Sequence, residues 1–305
     1  LKYTTTEASS YTAYPFGLSG PARLQYLYHA ALVGPSVVAM KEIAFRGNGG
    51  LAKPAKTGVD LEIKVSTTTT DPWAASSTFA SNHGSNVTTV FTRKKINLPA
   101  QGTKTPQDFV TVFKLDKSFV YIKATGNLLI DYIVHGQPSG SYAHDTSYTS
   151  SAATTNIGSG CGGASSSVSG GQKTTATSTI SYNLTGAPLS GVAVHLLGSK
   201  ALPTPIPLPL GGCKLYQDIL FAIGLPTTPN GTATMTYPLP TDARDQVIHG
   251  QFVAFDSKLT KLVGTQSNRT VLGGLDPHTR IYSTTSATSA TGSIQLGVGI
   301  VTRLR

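Results

Sequence analysis

The run Gly211-Gly212-Cys213-Lys214-Leu215-Tyr216 is followed by Ile223-Gly224-Leu225-Pro226 and then by Asn230-Gly231-Thr232-Ala233-Thr234-Met235. A further segment, Gly250-Gln251-Phe252-Val253-Ala254-Phe255, completes the series before Gly274. Each piece is short, apolar or alternating, and closed by Gly, Pro or Asn-Gly. Helices need longer periodic runs, whereas brief runs between turn residues match strands. The stretch therefore reads as part of an all-β fold, with a cysteine placed beside two glycines.

Composition agrees. The chain has 305 residues, of which 42 are Thr and 30 Ser, beside 32 Gly and 18 Pro. Charged residues make up 12%, about half the roughly 25% usual for soluble domains. Only Glu7, Glu42 and Glu62 supply Glu, too few for exposed helical faces. Thr favours the pleated sheet, and Gly and Pro favour turns. With 39% hydrophobic residues, the chain has the apolar surface that a disordered Ser/Thr/Gly-rich segment lacks.

The same counts exclude several classes. No apolar run approaches the roughly 18 residues that a membrane-spanning helix requires. Ala201 to Gly212 is apolar, but its alternating Pro forbids a helix. The net charge of +10 is scattered, with Arg93-Lys94-Lys95 the one tight cluster. A nucleic-acid binder concentrates such charge in a stripe with interleaved aromatics, so no nucleic-acid partner is expected. Leu1 is not a Met and no signal-peptide pattern follows, which suggests a processed start.

In the first half, Val59-Asp60-Leu61-Glu62-Ile63-Lys64-Val65 alternates strictly, as a half-buried strand does. Val37 to Arg46, Phe109 to Leu115 and Leu128 to Val134 read as further strands. Evenly spaced strands suit a jelly-roll or related sandwich. Residues 139–159 are rich in Ser, Thr and Gly and read as a connector. The expected organisation is two jelly-roll-like β-sandwiches with strand-like terminal extensions: residues 1–138, a 139–159 connector, residues 160–274, and a 275–305 extension.

Cys161 and Cys213 both lie among glycines, which let two backbones approach as a disulfide requires. A Cys161–Cys213 bridge is expected, with two buried thiols as the alternative. The bridge implies an oxidising, extracellular or cell-surface location.

The segments Ile43-Ala44-Phe45-Arg46, Leu61 to Thr68, Ser77 to Asn82, Thr88-Thr89-Val90-Phe91 and Gly126 to Asp131 together resemble a module of secreted proteins of planctomycete-type bacteria. Gly158-Ser159-Gly160-Cys161, Val194 to Gly198 and Gly212 to Tyr216 resemble the module that follows it. The resemblance covers most of residues 20–274. It implies a two-module exported protein of largely unassigned function and carries no catalytic residues.

The residues themselves point to no reaction. His29, His83, His135, His144, His195, His249 and His278 form no metal-binding pair at close spacing. No nucleophile elbow, phosphate loop or dinucleotide fingerprint occurs. Hence no cofactor, metal or enzymatic activity is expected, with an uncharacterised hydrolase as the remotest alternative. Trp73, in Asp71-Pro72-Trp73, is the candidate glycan contact, the alternative being packing onto the sandwich edge. Asn86, Asn183, Asn230 and Asn268 begin glycosylation sequons, and Asn230-Gly231 also reads as a turn. Ile294, Leu296, Val298 and Ile300 fall on one face of a terminal strand that could pair with a neighbouring copy, and Leu1 to Tyr14 is a second candidate. The leading expectation is a self-assembling extracellular structural protein, a subunit of a filament, sheath or surface layer. A secreted module that binds polysaccharide or mediates adhesion is the alternative.

Overall fold

The computed structural model describes residues 5, 7–8, 10–146, 149–209 and 211–305. It is nearly all β, with 54% of residues in strands. The chain divides into two compact units. Unit 1 comprises Leu1–Thr149 and Leu275–Arg305, and unit 2 comprises Ser150–Gly274.

Unit 1 begins with β1 (Ser10–Thr12), β2 (Ala22–Tyr28), β3 (Val37–Phe45) and β4 (Lys56–Thr68). It continues through β5 (Thr88–Leu98), β6 (Thr111–Ile122), β7 (Asn127–Gly136) and β8 (His144–Thr146). After β9 (Thr149–Ser150), unit 2 contains β10 (Ala153–Ile157), β11 (Ser165–Gly170), β12 (Gln172–Lys173), β13 (Thr179–Thr185) and β14 (Val192–Gly198). Next come β15 (Ala201–Pro207), β16 (Lys214–Gln217), β17 (Phe221–Pro226) and β18 (Ala233–Pro238). β19 (Val247–Phe255), β20 (Leu262–Gly264), β21 (Ser267–Val271) and β22 (Gly273–Leu275) follow. The chain then returns to unit 1 as β23 (His278–Ser283), β24 (Ser293–Leu296) and β25 (Thr302–Leu304).

In unit 1 a six-stranded sheet, ordered β24-β23-β2-β7-β4-β5, faces the three-stranded β25-β3-β6. Strand alternation decides which residues meet between them. Val59, Leu61, Ile63 and Val65 of β4 are all buried in the core with Leu24, Tyr26, Ile130, Tyr132, Phe45 and Phe113. Asp60, Glu62 and Lys64 lie on the other face and keep some exposure. β7 is different, because eight successive residues from Asn127 to Val134 are buried on both faces. Its outer face is covered by the loop that carries Trp73 and Phe79: Asn127 Nδ2 donates to Thr70 O (2.8 Å), and Gln25 Nε2, on neighbouring β2, donates to Phe79 O (3.0 Å).

In unit 2 the larger sheet runs β10-β21-β19-β14-β17, with β20 added beside β19, and β11-β13-β18 forms the second sheet. β14 feeds two cores by alternation. Ala193 joins Ile180, Tyr182, Leu184 and Phe252, while Leu196 on the opposite face joins Cys213, Leu215, Val253 and Leu262. Gly250 has no side chain because the Tyr182 ring occupies that space; a Cβ there would meet Tyr182 Cε1 at 2.3 Å. The Cys161–Cys213 disulfide is formed, with Cα atoms 5.3 Å apart and a sequence separation of 52. The Pro-alternating segment is the extended strand β15, paired with β16 through an irregular register.

Several expectations change. Residues 139–159 are not a free connector, since His144–Thr146 pairs with β1 and Ala153–Ile157 pairs with β21. The second sandwich accordingly starts ten residues before 160, at Ser150. The 275–305 segment is no extension. β23 pairs along β2, β24 along β23, and β25 along β3. Ile294, Leu296, Val298 and Ile300 do not form one continuous donated row. Gly297, at φ 65°, turns the chain after β24, and its amide donates to His278 O at 2.7 Å. Ile294 is left 39% exposed, whereas Ile300 is 2% exposed in the unit 1 core. The Ser283–Thr291 stretch folds back as well, with Phe79 N donating to Ala290 O at 3.0 Å. Of the N-terminal candidate, Leu1 to Thr4, Thr6 and Ser9 lie outside the described residues, and Ser10–Thr12 pairs within the chain.

Ile300 closes the core and its carbonyl accepts from Tyr28 Oη (3.0 Å). Ile300→Ala is expected to lower the unfolding free energy of unit 1 by about 2–5 kcal/mol, measured by urea denaturation. A loss below about 0.5 kcal/mol would show that the C-terminal segment is not part of this core.

Candidate functional site

Polar side chains buried in a β-sandwich are costly unless bonded, so their placement is where function or structural necessity shows. The densest cluster lies on the outer face of the six-stranded sheet. Asp131 of β7 points away from the core because Ile130 and Tyr132 point into it. Its carboxylate is fully buried. It accepts from Arg23 Nη2 (2.8 Å), Arg23 Nε (3.3 Å) and Gln25 Nε2 (3.0 Å), and is bonded to His83 Nε2 (3.0 Å). His83 Nδ1 in turn meets Ser66 Oγ at 2.9 Å. Desolvation pushes the Asp131 carboxyl up, but the His83 and Arg23 hydrogen bonds outweigh it and hold the group below the usual carboxylate range.

A hydroxyl, an imidazole and a carboxylate in series have the chemical order of a nucleophile with its base and orienting acid. Here the order serves packing. Ser66 is fully buried, so a substrate reaches its hydroxyl only if the covering loop opens. Asp131 is moreover committed to Arg23, whose guanidinium lies over the Phe79 ring at 4.6 Å and donates to Ser289 O at 3.1 Å. The cluster fastens the 71–83 and 283–291 loops onto the sheet.

A second buried pair joins Arg46 and Asp145 at 2.6 Å, with both side chains fully buried. Beside it His144 packs against Phe16, Phe45 and Tyr142, and burial pushes its imidazole down to about 3. In unit 2, His195 lies among Tyr182, Tyr237 and Phe252. Its Nδ1 meets Tyr237 Oη at 2.7 Å, and burial lowers its pKa to about 4. His135 bonds Glu62 at 3.3 Å, and His249 and His278 are buried. Among the described residues, no three His, Cys, Asp or Glu side chains converge as a metal site would require.

The sequence-derived candidates are dispersed. Trp73 is 6% exposed inside a short 3-10 turn, with Asp71 Oδ1 capping its amide at 2.8 Å. It offers no open ring to a sugar, because Asp71 and Pro72 start the turn that tucks it inward. Asn86 and Asn230 are exposed and Asn183 is half-buried. Asn268 is 1% exposed, held by Asn156 and Ser166 (2.8 and 2.5 Å), which leaves no room for a glycan.

Two features were not singled out from sequence. One is a cavity of about 400 Å³ in unit 1, bordered by Ser10, Thr12, Thr146, Gln295 and the buried Arg280. The signal for it was an arginine within the His278–Ser283 strand. The other is the outer edge of unit 2. There Ile219, Leu220, Phe221 and Ile223 are 50%, 58%, 63% and 36% exposed along and just before β17. Among the described residues β17 ends the larger sheet and pairs only with β14.

The chain matches no protein-family model and no curated protein. Among solved structures it is weakly similar to a crystal structure of Bacteroides uniformis β-glucuronidase, with a TM-score of 0.18 and 11% identity over 86% of this chain and 25% of that one. A Bacteroides uniformis β-glucuronidase 2 covalently bound to cyclophellitol-6-carboxylate aziridine gives the same values. This chain thus spans about a quarter of their length, and at such TM-scores the likeness bears on neither fold nor activity.

Asp131→Asn leaves the half-buried Arg23 beside a neutral group and is expected to cost about 1–3 kcal/mol in unit 1; equilibrium denaturation reads it, and a loss under about 0.5 kcal/mol would assign the cluster no anchoring role. His195 sets a pH dependence. The unfolded histidine takes up its proton near 6.5 and the folded one only near 4. The contribution is therefore complete above about 6.5 and is lost as pH falls toward 4. Between pH 7 and 5, His195→Gln should lose about 2 kcal/mol less than the parent protein, measured by urea denaturation at both values.

Proposed function

We propose that this chain is an exported structural protein that self-associates outside the cell, and that the free edge of unit 2 is its contact. The observation that carries this reading is β17. Among the described residues β17 is the last strand of the larger sheet of unit 2, and it leaves Phe221 63% and Ile223 36% exposed. An exposed apolar edge strand is a template for pairing, which proteins normally blunt with charge, Pro or a covering loop. β17 carries no charge, and its one Pro stands at the end, Pro226.

The register supports a second copy as partner. Thr227 N donates to Gly191 O (2.9 Å), and His195 lies opposite Ile223. Antiparallel alternation then aims the main-chain groups of Phe221, Ile223 and Leu225 at β14 and those of Ala222 and Gly224 outward. Two copies related by a two-fold axis at Ile223 place Ala222 opposite Gly224, and Phe221 opposite Leu225. This makes about four main-chain hydrogen bonds. The exposed side chains supply on the order of 400 Å² of apolar surface per copy, about half of a standard interface. Association through this edge is accordingly weak and concentration-dependent.

A two-fold contact closes on itself, so a polymer needs a second one. Val37 and Ile122, paired opposite each other, and neighbouring Val120 form an exposed apolar strip on unit 1. The disulfide supports an oxidising compartment.

Sedimentation velocity over a concentration series tests the reading. The parent protein should grow heavier with concentration. Ile223→Lys, which sets two like charges opposite each other, should remain monomeric. A parent protein that stays monomeric throughout overturns self-association. Undiminished association of Ile223→Lys overturns the edge as its contact.

A further inference from the structure

Other buried cations among the described residues find oxygen acceptors. Arg46 has a carboxylate, while Lys56 Nζ donates to Phe16 O, Leu18 O and Gln137 Oε1. Lys173 Nζ donates to Ala176 O and Leu239 O. Arg280 differs. It is 4% exposed, and no carboxylate among the described residues bonds it. A guanidinium has five N–H donors. Here Nη1 donates to Thr12 Oγ1 (2.7 Å) and Nη2 to Gln295 Oε1, while Nε has no hydrogen-bond partner. Its planar face lies over Tyr14 at 4.3 Å and Tyr282 at 5.0 Å, contacts that attract a cation without supplying a counter-charge. Tyr26 supplies none either: burial pushes its phenol up to about 12 against the pull of Arg280, so it remains neutral.

This uncompensated charge borders the 400 Å³ cavity of unit 1, within the size range of small-ligand sites. Around the guanidinium the wall carries the hydroxyls of Ser10 and Thr12, the Gln295 amide, and apolar Leu296. We propose that the Arg280 cavity binds an acidic saccharide, with the sugar carboxylate taken by the guanidinium and the sugar hydroxyls by the hydroxyl and amide wall. One planar cation matches one planar carboxylate in a two-pronged geometry, whereas a doubly charged phosphate finds no second cation among the described residues of this wall. Hydroxyl and amide groups around an apolar contact suit a sugar better than a bare carboxylic acid. The site is independent of the β17 edge, because every described residue lining it belongs to unit 1.

Isothermal titration of the full chain with galacturonate, galactose and acetate tests the proposal. Galacturonate should bind saturably, and both galactose and acetate at least about tenfold more weakly. Arg280→Met should abolish binding. Since that buried position also packs between two rings, Ser10→Trp provides a second variant: it fills the cavity from an exposed edge strand, leaves Arg280 in place, and should also abolish binding. Folding of each variant is checked by circular dichroism. The proposal is overturned if the folded parent protein does not bind galacturonate. Equal binding of galactose removes the role of Arg280, equal binding of acetate removes the saccharide, and undiminished binding by Ser10→Trp places the ligand elsewhere.

Discussion

The carboxylate of Asp131 is the constraint around which unit 1 is arranged. It stands in the middle of β7, a strand buried on both faces. An ion so placed is tolerable only if every lone pair is engaged. Arg23, Gln25 and His83 meet that demand, and each brings its own segment along. Gln25 holds Phe79 O, and Asn82 Nδ2 reaches Gln25 Oε1 at 3.2 Å. His83 holds Ser66, and Arg23 holds Ser289. Segments far apart in sequence are thus fixed to one sheet face by a charge that apolar packing alone would exclude.

This arrangement also explains how a Ser-His-Asp contact can exist without implying a reaction. Catalysis needs a nucleophile that substrate can reach and a place where developing charge is stabilised. Ser66 has no exposure, and its imidazole partner is spent on the same carboxylate that neutralises Arg23. Geometry between side chains is informative only together with access.

Much of the fold is legible where alternation is strict. Val59 to Val65 announces its buried and open faces, and the glycines around Cys161 and Cys213 announce a close approach of two backbones. Other features depend on strand order, which local pattern does not encode. Ile223-Gly224-Leu225-Pro226 reads as a strand, but whether it lies inside a sheet or at its edge is settled only by which strands pair. The terminal row misled for a local reason: Gly297 interrupts it with a positive φ, and the run of alternating apolar residues hides that turn. Asp131 and Arg280 were overlooked because a charge within an apolar strand reads as an outward, solvated position. Each is instead covered from outside by loops or strands remote in sequence. Trp73 follows its edge-packing reading instead of its glycan-contact one, since the Asp71-Pro72 start of a tight turn directs it inward.

The discontinuous make-up of unit 1 has a temporal consequence. Unit 2 is contiguous from Ser150 to Gly274 and has all its strands once Gly274 has been made. Unit 1, although begun first, lacks the partners of β2 and β3 until β23 and β25 emerge. At ordinary rates of synthesis the interval between β8 and β25 is on the order of ten seconds. Throughout it, the apolar faces of the strands from β2 to β7 are without their closing pieces. Unit 1 is therefore sealed only after unit 2 is complete, and a chain arrested before β23 would present an open sheet.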